Sequence, residues 1–225
     1  MKDDYSRIRI KIWDIPTRAT HWLIVVTLGT LWWTAKHDAM QWHIRAGYFL
    51  FALLLFRLYW GIVGSSTARF TGFVRGPRVV LSYARGLFKT SKSNALGHNP
   101  IGGWSIVILL SLMSAEIILG LFAVDIDGID SGPLSHRVSF DAGRYFARMH
   151  GFFFDVLLGF VALHIAAVLF YLFFKKTNLT ATMVTGRRTI TRKDEIPSDP
   201  MFASPTLAVI GIIFATLVTW LITSL

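Results

Sequence analysis

Residues 149–173 read MHGFFFDVLLGFVALHIAAVLFYLF, an apolar run broken only by two histidines, His150 and His164, and one acid, Asp155. A helix needs roughly 20 such residues to cross the hydrocarbon of a bilayer, so this run is long enough to span with some tilt or to project into the headgroups. The apolar block around it covers 147–174, and four more can be drawn at 19–36, 43–63, 103–124 and 204–224. The expected fold is therefore an all-α integral membrane protein: a four-helix transmembrane bundle plus a fifth, C-terminal transmembrane helix. Trp32 and Trp33, at the end of the first block, suit an interfacial belt.

The whole chain agrees with this assignment. Hydrophobic residues make up 53% of its 225 positions, above the roughly 45–50% of soluble domains. A formal net charge of +10 would point to nucleic acid in a soluble protein; among apolar blocks it points to the membrane, and nucleic acid is not an expected partner. The chain has no cysteine, which excludes disulfides, thiolate zinc sites, cysteine-held iron–sulfur clusters and covalent c-type haem. No basic n-region with a cleavage site precedes the first block, so that block is expected to be retained.

Charge sets the orientation. Between residues 57 and 98 stand Arg57, Arg69, Arg75, Arg78, Arg85, Lys89 and Lys92 with no acid. The basic N-terminus and the tail carrying Lys175, Lys176, Arg187, Arg188, Arg192 and Lys193 fall on the same side, whereas Asp125, Asp127, Asp130 and Asp141 lie in an opposite loop. The positive-inside rule puts the basic segments and the N-terminus in the cytoplasm. The stretch FVRGPRVVLSYARGLFK, 73–89, suits a short amphipathic helix on the inner membrane surface. Residues 176–203 read as an extended, charged cytoplasmic linker.

Four of the seven histidines, His21, His43, His150 and His164, fall at or inside the blocks. An unpaired imidazole in lipid is costly and needs a partner, a cavity or a ligand. His150 and His164, fourteen residues apart, lie within about 40° of one face and about 21 Å apart along a helix. Depth alone pairs His43 with His150 near the outer surface and His21 with His164 near the inner one. Two imidazoles flanking one iron form a bis-histidine b-type haem site, so the pairs predict two non-covalent haems b stacked across the bundle. Zinc would want further ligands.

The neighbours fit the same arrangement. Gly47, one turn beyond His43, leaves room for a porphyrin or a packed helix, as do Gly151 and Gly159. Arg57 lies fourteen residues after His43, at the inner haem's depth, where it would pair with a propionate or snorkel to the surface. His98 would border a propionate or a quinone headgroup, or serve the loop alone. Glu116 and Asp155, the acids within the last four blocks, would relay protons, support a histidine ring nitrogen or join two helices. His37 and His136 belong to outer loops and are not expected as ligands.

Several stretches together carry a family resemblance: IWDIPTRATHWLI (12–24), WHIRAGYFLFALLLFRLYWGIVGSSTARF (42–70), VRGPRVVLSYARG (74–86), LGHNPIGGW (96–104) and the run that ends at residue 173. They resemble the bacterial cytochrome b561 family, which is related to the cytochrome b subunit of nickel–iron hydrogenases. The resemblance implies a four-helix b-cytochrome that exchanges electrons with membrane quinone on one side and a periplasmic cytochrome or other redox protein on the other. It also implies a bacterial inner membrane location. It matches His21, His43, His150 and His164 to the family's axial ligands, and Arg57, Arg75, Gly97, His98 and Asn99 to recurrent cytoplasmic-side positions.

The expected organisation is a di-haem cytochrome b domain over 1–175, the linker over 176–203 and a C-terminal transmembrane helix over 204–225. Its expected function is electron transfer between the quinone pool and a periplasmic redox partner. Two other functions compete. A superoxide:quinone oxidoreductase would use Lys36, Arg144 and Arg148 to attract an anion, against the acidic outer loop. A membrane anchor of a redox complex would use the fifth helix to contact another subunit.

Overall fold

The computed structural model describes residues 7–87, 97–127, 129–191 and 200–224. Lys89, Lys92, Arg192 and Lys193 of the basic segments lie outside them. In chain order the elements are β1 (Arg7–Lys11), α1 (Ile15–Lys36), α2 (Met40–Val63), α3 (Phe70–Phe73), α4 (Pro77–Arg85), α5 (Pro100–Phe122), a 3-10 turn (Ser135–Arg137), α6 (Phe140–Phe173), α7 (Leu179–Thr185), β2 (Arg187–Thr191) and α8 (Pro205–Thr223).

Three long helices, α1, α5 and α6, start a few residues before their apolar blocks because side-chain caps, not hydropathy, set their N-termini. Asp14 accepts from Thr17 N at 2.8 Å to open α1, and Asn99 accepts from Gly102 N at 2.8 Å to open α5. Ser139 opens α6, which begins at Phe140. At 34 residues, α6 would be about 51 Å long, so it must tilt or extend beyond a hydrocarbon layer about 30 Å thick.

Four helices, α2, α5, α6 and α8, are long and apolar enough to cross a membrane. The α1 helix, expected as the first span, falls below that standard despite its 22 residues. Arg18 and five threonines dilute its apolar residues. Three of those threonines spend their hydroxyls on their own helix: Thr27 on Leu23 O at 2.7 Å, Thr30 on Val26 O at 3.0 Å and Thr34 on Thr30 O at 2.8 Å.

The helices pair off. The α1 helix packs along α2, α5 packs along α6, and α8 packs on the far side of α2. Among the described residues α6 has no extended backbone contact with α1 or α2, the two helices that carry His21 and His43. Leu31, Leu50, Leu54, Leu110, Met113 and Leu157 form one apolar core drawn from α1, α2, α5 and α6. Leu157 lies halfway between His150 and His164 in sequence, so the core separates the two histidine depths. The α8 helix approaches α2 at Gly211, where a Cβ would come within 2.5 Å of the Tyr59 ring.

Residues 176–203 depart from the expected extended linker. Asn178 caps α7, and Gly186 ends it with φ +74°, where a Cβ would also come within 2.7 Å of Trp13 O. The chain then pairs β2 antiparallel with β1, in the register Arg7↔Thr191 to Lys11↔Arg187. Alternation in β1 explains the pairing: Ile8 and Ile10 are half-buried while Arg9 and Lys11 face out. Beyond the undescribed residues 192–199, Ser66 N donates to Met201 O at 2.9 Å and Ala203 N donates to Ser65 Oγ at 3.0 Å. The returning chain thus forms a plate beneath one end of the bundle.

Asp14 anchors that plate. Its second carboxylate oxygen accepts from Nε1 of Trp60, a side chain only 1% exposed, at 3.0 Å. Asp14→Ala removes a cap worth about 1 kcal/mol and leaves a buried indole N–H unpaired at about 1–3 kcal/mol. A total loss of about 2–4 kcal/mol is expected, read as a lower thermal midpoint of the detergent-solubilised protein.

Candidate functional site

At one end of the bundle His43 of α2 and His150 of α6 face each other with ring centroids 6.2 Å apart and planes at 86°. The His43 Nδ1 lies 3.0 Å from Leu31 O and 3.4 Å from Thr34 Oγ1. The His150 Nδ1 lies 3.0 Å from Glu116 O and 3.0 Å from Glu116 Oε2. A carbonyl oxygen only accepts, so each Nδ1 carries the proton and each Nε2 keeps its lone pair. Such outer bonds fix the tautomer and orientation of metal-binding histidines.

The gap between the rings fits an iron. Two imidazole–metal bonds of about 2 Å, each with about 1.1 Å from nitrogen to ring centre, put the centroids of opposed ligands about 6 Å apart. No group of three or more His, Cys, Asp or Glu among the described residues is placed to hold a metal ion, so a closed zinc site has no support.

At the other depth, His21 of α1 and His164 of α6 are within electrostatic reach of each other. The His21 Nδ1 is buried without a partner. Arg57 is 7% exposed, with one long bond from Nη2 to Ala68 O at 3.4 Å and its guanidinium 5.3 Å from the Phe70 ring. Its Nη1 is buried without a partner, and among the described residues no carboxylate forms an ion pair with it. A buried cation in this condition calls for an anion.

His98, just before α5, is wedged between Trp13 at 4.6 Å and Phe73 at 4.7 Å, with its Nδ1 sealed and unpartnered. Burial, followed by the fields of Arg57, His164 and His21, pushes its imidazole down from 6.5 to about 3. Arg57, His98 and His21 thus bring three unsatisfied polar atoms to one region, a cradle suited to carboxylates such as haem propionates.

Other expected residues sort clearly. Gly47 has open space where a Cβ would stand, as do Gly151 and Gly159. Glu116 is buried and joins the site, whereas Asp155 is exposed on α6 and does not. Arg144, expected in an outer cationic pocket, gives Nη1 to Val124 O at 2.9 Å. Arg75 turns to the local carbonyl of Gly72 at 2.9 Å. His37 stacks on Trp33, and His136 accepts from Arg137 Nε. Gly120, not anticipated, stands one turn beyond Glu116, and a Cβ there would come within 3.3 Å of His150 Cε1. Its spacing from Glu116 was the available signal, but only the crossing of α5 and α6 gives it meaning.

A helical membrane bundle with opposed, Nδ1-tethered histidines and a buried, unpaired arginine is the architecture of a membrane b-type cytochrome. The family model described as prokaryotic cytochrome b561 matches residues 12–186, and the chain belongs to that family. It is accordingly a multi-pass membrane protein of a cytochrome b family, and that family implies electron transport and b-type haem binding in general. No curated protein and no solved structure matches it significantly.

The fit of His98 predicts an acid response in haem-free protein. Below pH 6.5 the unfolded chain protonates this imidazole while the folded chain does not until about pH 3. The unfolded state therefore binds more protons, and stability falls as pH drops through that window. His98→Gln should flatten the dependence, measured as thermal midpoint against pH.

Proposed function

We propose that the protein holds two haems b, one between His43 and His150 and one between His21 and His164, and passes electrons between membrane quinone and a periplasmic redox partner. The observation that carries this reading is the His43–His150 pair, with both Nδ1 atoms engaged and both Nε2 atoms left to ligate. Bound haem supplies reversible one-electron chemistry. The chain's residues supply the rest: four histidines fix two depths, Leu157 and its neighbours keep the space between them apolar, and Arg57 with His98 receives the propionates of the second site.

The membrane is the bacterial inner membrane, with the basic strands β1 and β2 and the basic helix α4 on the cytoplasmic side. That places His43 and His150 toward the periplasm, and α1 spans despite its threonines because α2 covers one of its faces. The α8 helix is an accessory on α2, and its exposed face of Val209, Ile213, Phe214, Leu217 and Trp220 meets lipid or a further membrane subunit. A reduced-minus-oxidised spectrum with a pyridine haemochrome count on detergent-purified protein tests the assignment. A b-type α-band with two haems per chain is expected; protein made with ample haem that carries none would overturn it.

A further inference from the structure

We propose that Glu116 is a positioning residue for the His43–His150 site: it locks the His150 ring through its own carbonyl and carboxylate at once, and its carboxylate lowers the reduction potential of the haem held there. This rests on the preceding reading that the pair binds a haem. The His150 Nδ1–H is shared between Glu116 O at 3.0 Å and Glu116 Oε2 at 3.0 Å, so one residue of α5 holds the α6 ring by two acceptors. Among the described residues, neither His43 nor His21 is held this way. His43 has a neutral carbonyl and a hydroxyl, and His21 has no partner on Nδ1.

The placement of Glu116 is costly unless that bond serves a purpose. The side chain is 5% exposed in the interior of a spanning helix, and its Oε1 finds no partner among the described residues. Acids at membrane depth are expensive and are kept where they pair. Gly120, one turn on, clears the space beside the ring, since a Cβ there would come within 3.5 Å of Nδ1 and 3.3 Å of Cε1. A bound acceptor on the far nitrogen makes an imidazole a stronger donor to its metal, which favours the oxidised, more positive state. The opposite histidine depth has the reverse environment, with the buried Arg57 cation near His98 and in no ion pair among the described residues. The two sites are therefore separated in potential, the Glu116-backed one shifted low.

Redox titration of E116Q and Glu116→Asp, with the haem count and low-spin EPR spectrum taken on the same samples, tests this. In E116Q the amide oxygen and the backbone carbonyl still hold the ring. The haem count should stay at the wild-type value while one couple shifts about tenfold toward the reduced form at fixed potential, about 59 mV upward for one electron. The other couple should not move, and only one low-spin signal should change. Glu116→Asp, which keeps a carboxylate, should fall between wild type and E116Q. Full haem content with neither couple moved, both moved together, or the Asp variant displaced as far as E116Q would overturn the role of Glu116. Wild-type protein without haem would overturn the underlying site assignment as well.

Discussion

His43→Ala should lower the haem content from two per chain to one, and His150→Ala should remove the same haem. The two rings face each other across 6.2 Å, and neither site residue has a substitute within reach among the described residues. Each single variant would remove one of the two imidazoles proposed to hold the haem and leave a void where the ring stood, so a low-spin centre should not be retained. The pairing is what makes this a sharp test. His43→Ala combined with His150→Ala should cost no more haem than either alone, whereas His43→Ala combined with His21→Ala should empty both sites. Non-additivity of this kind marks residues that act as a unit. Equal haem loss from both double variants, counted by pyridine haemochrome, would mean the histidines are paired otherwise.

Arg57→Met should act in opposite directions on the haem-free and haem-loaded protein. Without haem, Arg57 is a buried cation with an orphaned Nη1 and a single weak bond to Ala68 O. Methionine keeps the apolar stem and removes a desolvated charge that Asp14 attracts only from beyond ion-pair distance, which should stabilise the haem-free fold by about 1–3 kcal/mol. With haem, the same change deletes a charge-assisted bond to a propionate worth about 1.5–3 kcal/mol. Retention at the His21–His164 site should then weaken about 10- to 100-fold. Thermal midpoints with and without haem, beside competition for haem by apomyoglobin, measure the two arms. A variant that is destabilised without haem and retains it normally would place Arg57 in a purely structural role.

Much of this molecule was legible in its order of residues because the relevant rules are local. Five apolar blocks became five long helices, and the shift of their starts to Asp14, Asn99 and Ser139 follows from capping chemistry that the sequence also displays. The fourteen-residue interval between His150 and His164 fixes their separation along one rigid helix, and so their two depths. The amphipathic stretch at α4 was likewise visible from its period.

What escaped such reading depends on approaches between distant segments. Residues 176–203 looked extended by their charge and proline, yet Gly186 turns β2 back onto β1, which offers an unpaired edge only in the folded chain. That one face of the α8 helix seats on α2, with Gly211 against the Tyr59 ring, was likewise not visible in its apolar run. Glu116 and Asp155 were equal as acids within apolar blocks. Only the crossing of α5 with α6 turns Glu116 onto the His150 ring and leaves Asp155 outside. Residue order alone carried the class of protein, its long helices and the interval between His150 and His164, because hydropathy and helical pitch act within one segment. Tertiary structure alone decided which groups support those rings and where unpaired polar atoms gather, because a hydrogen bond about 3 Å long is set by how separate helices pack.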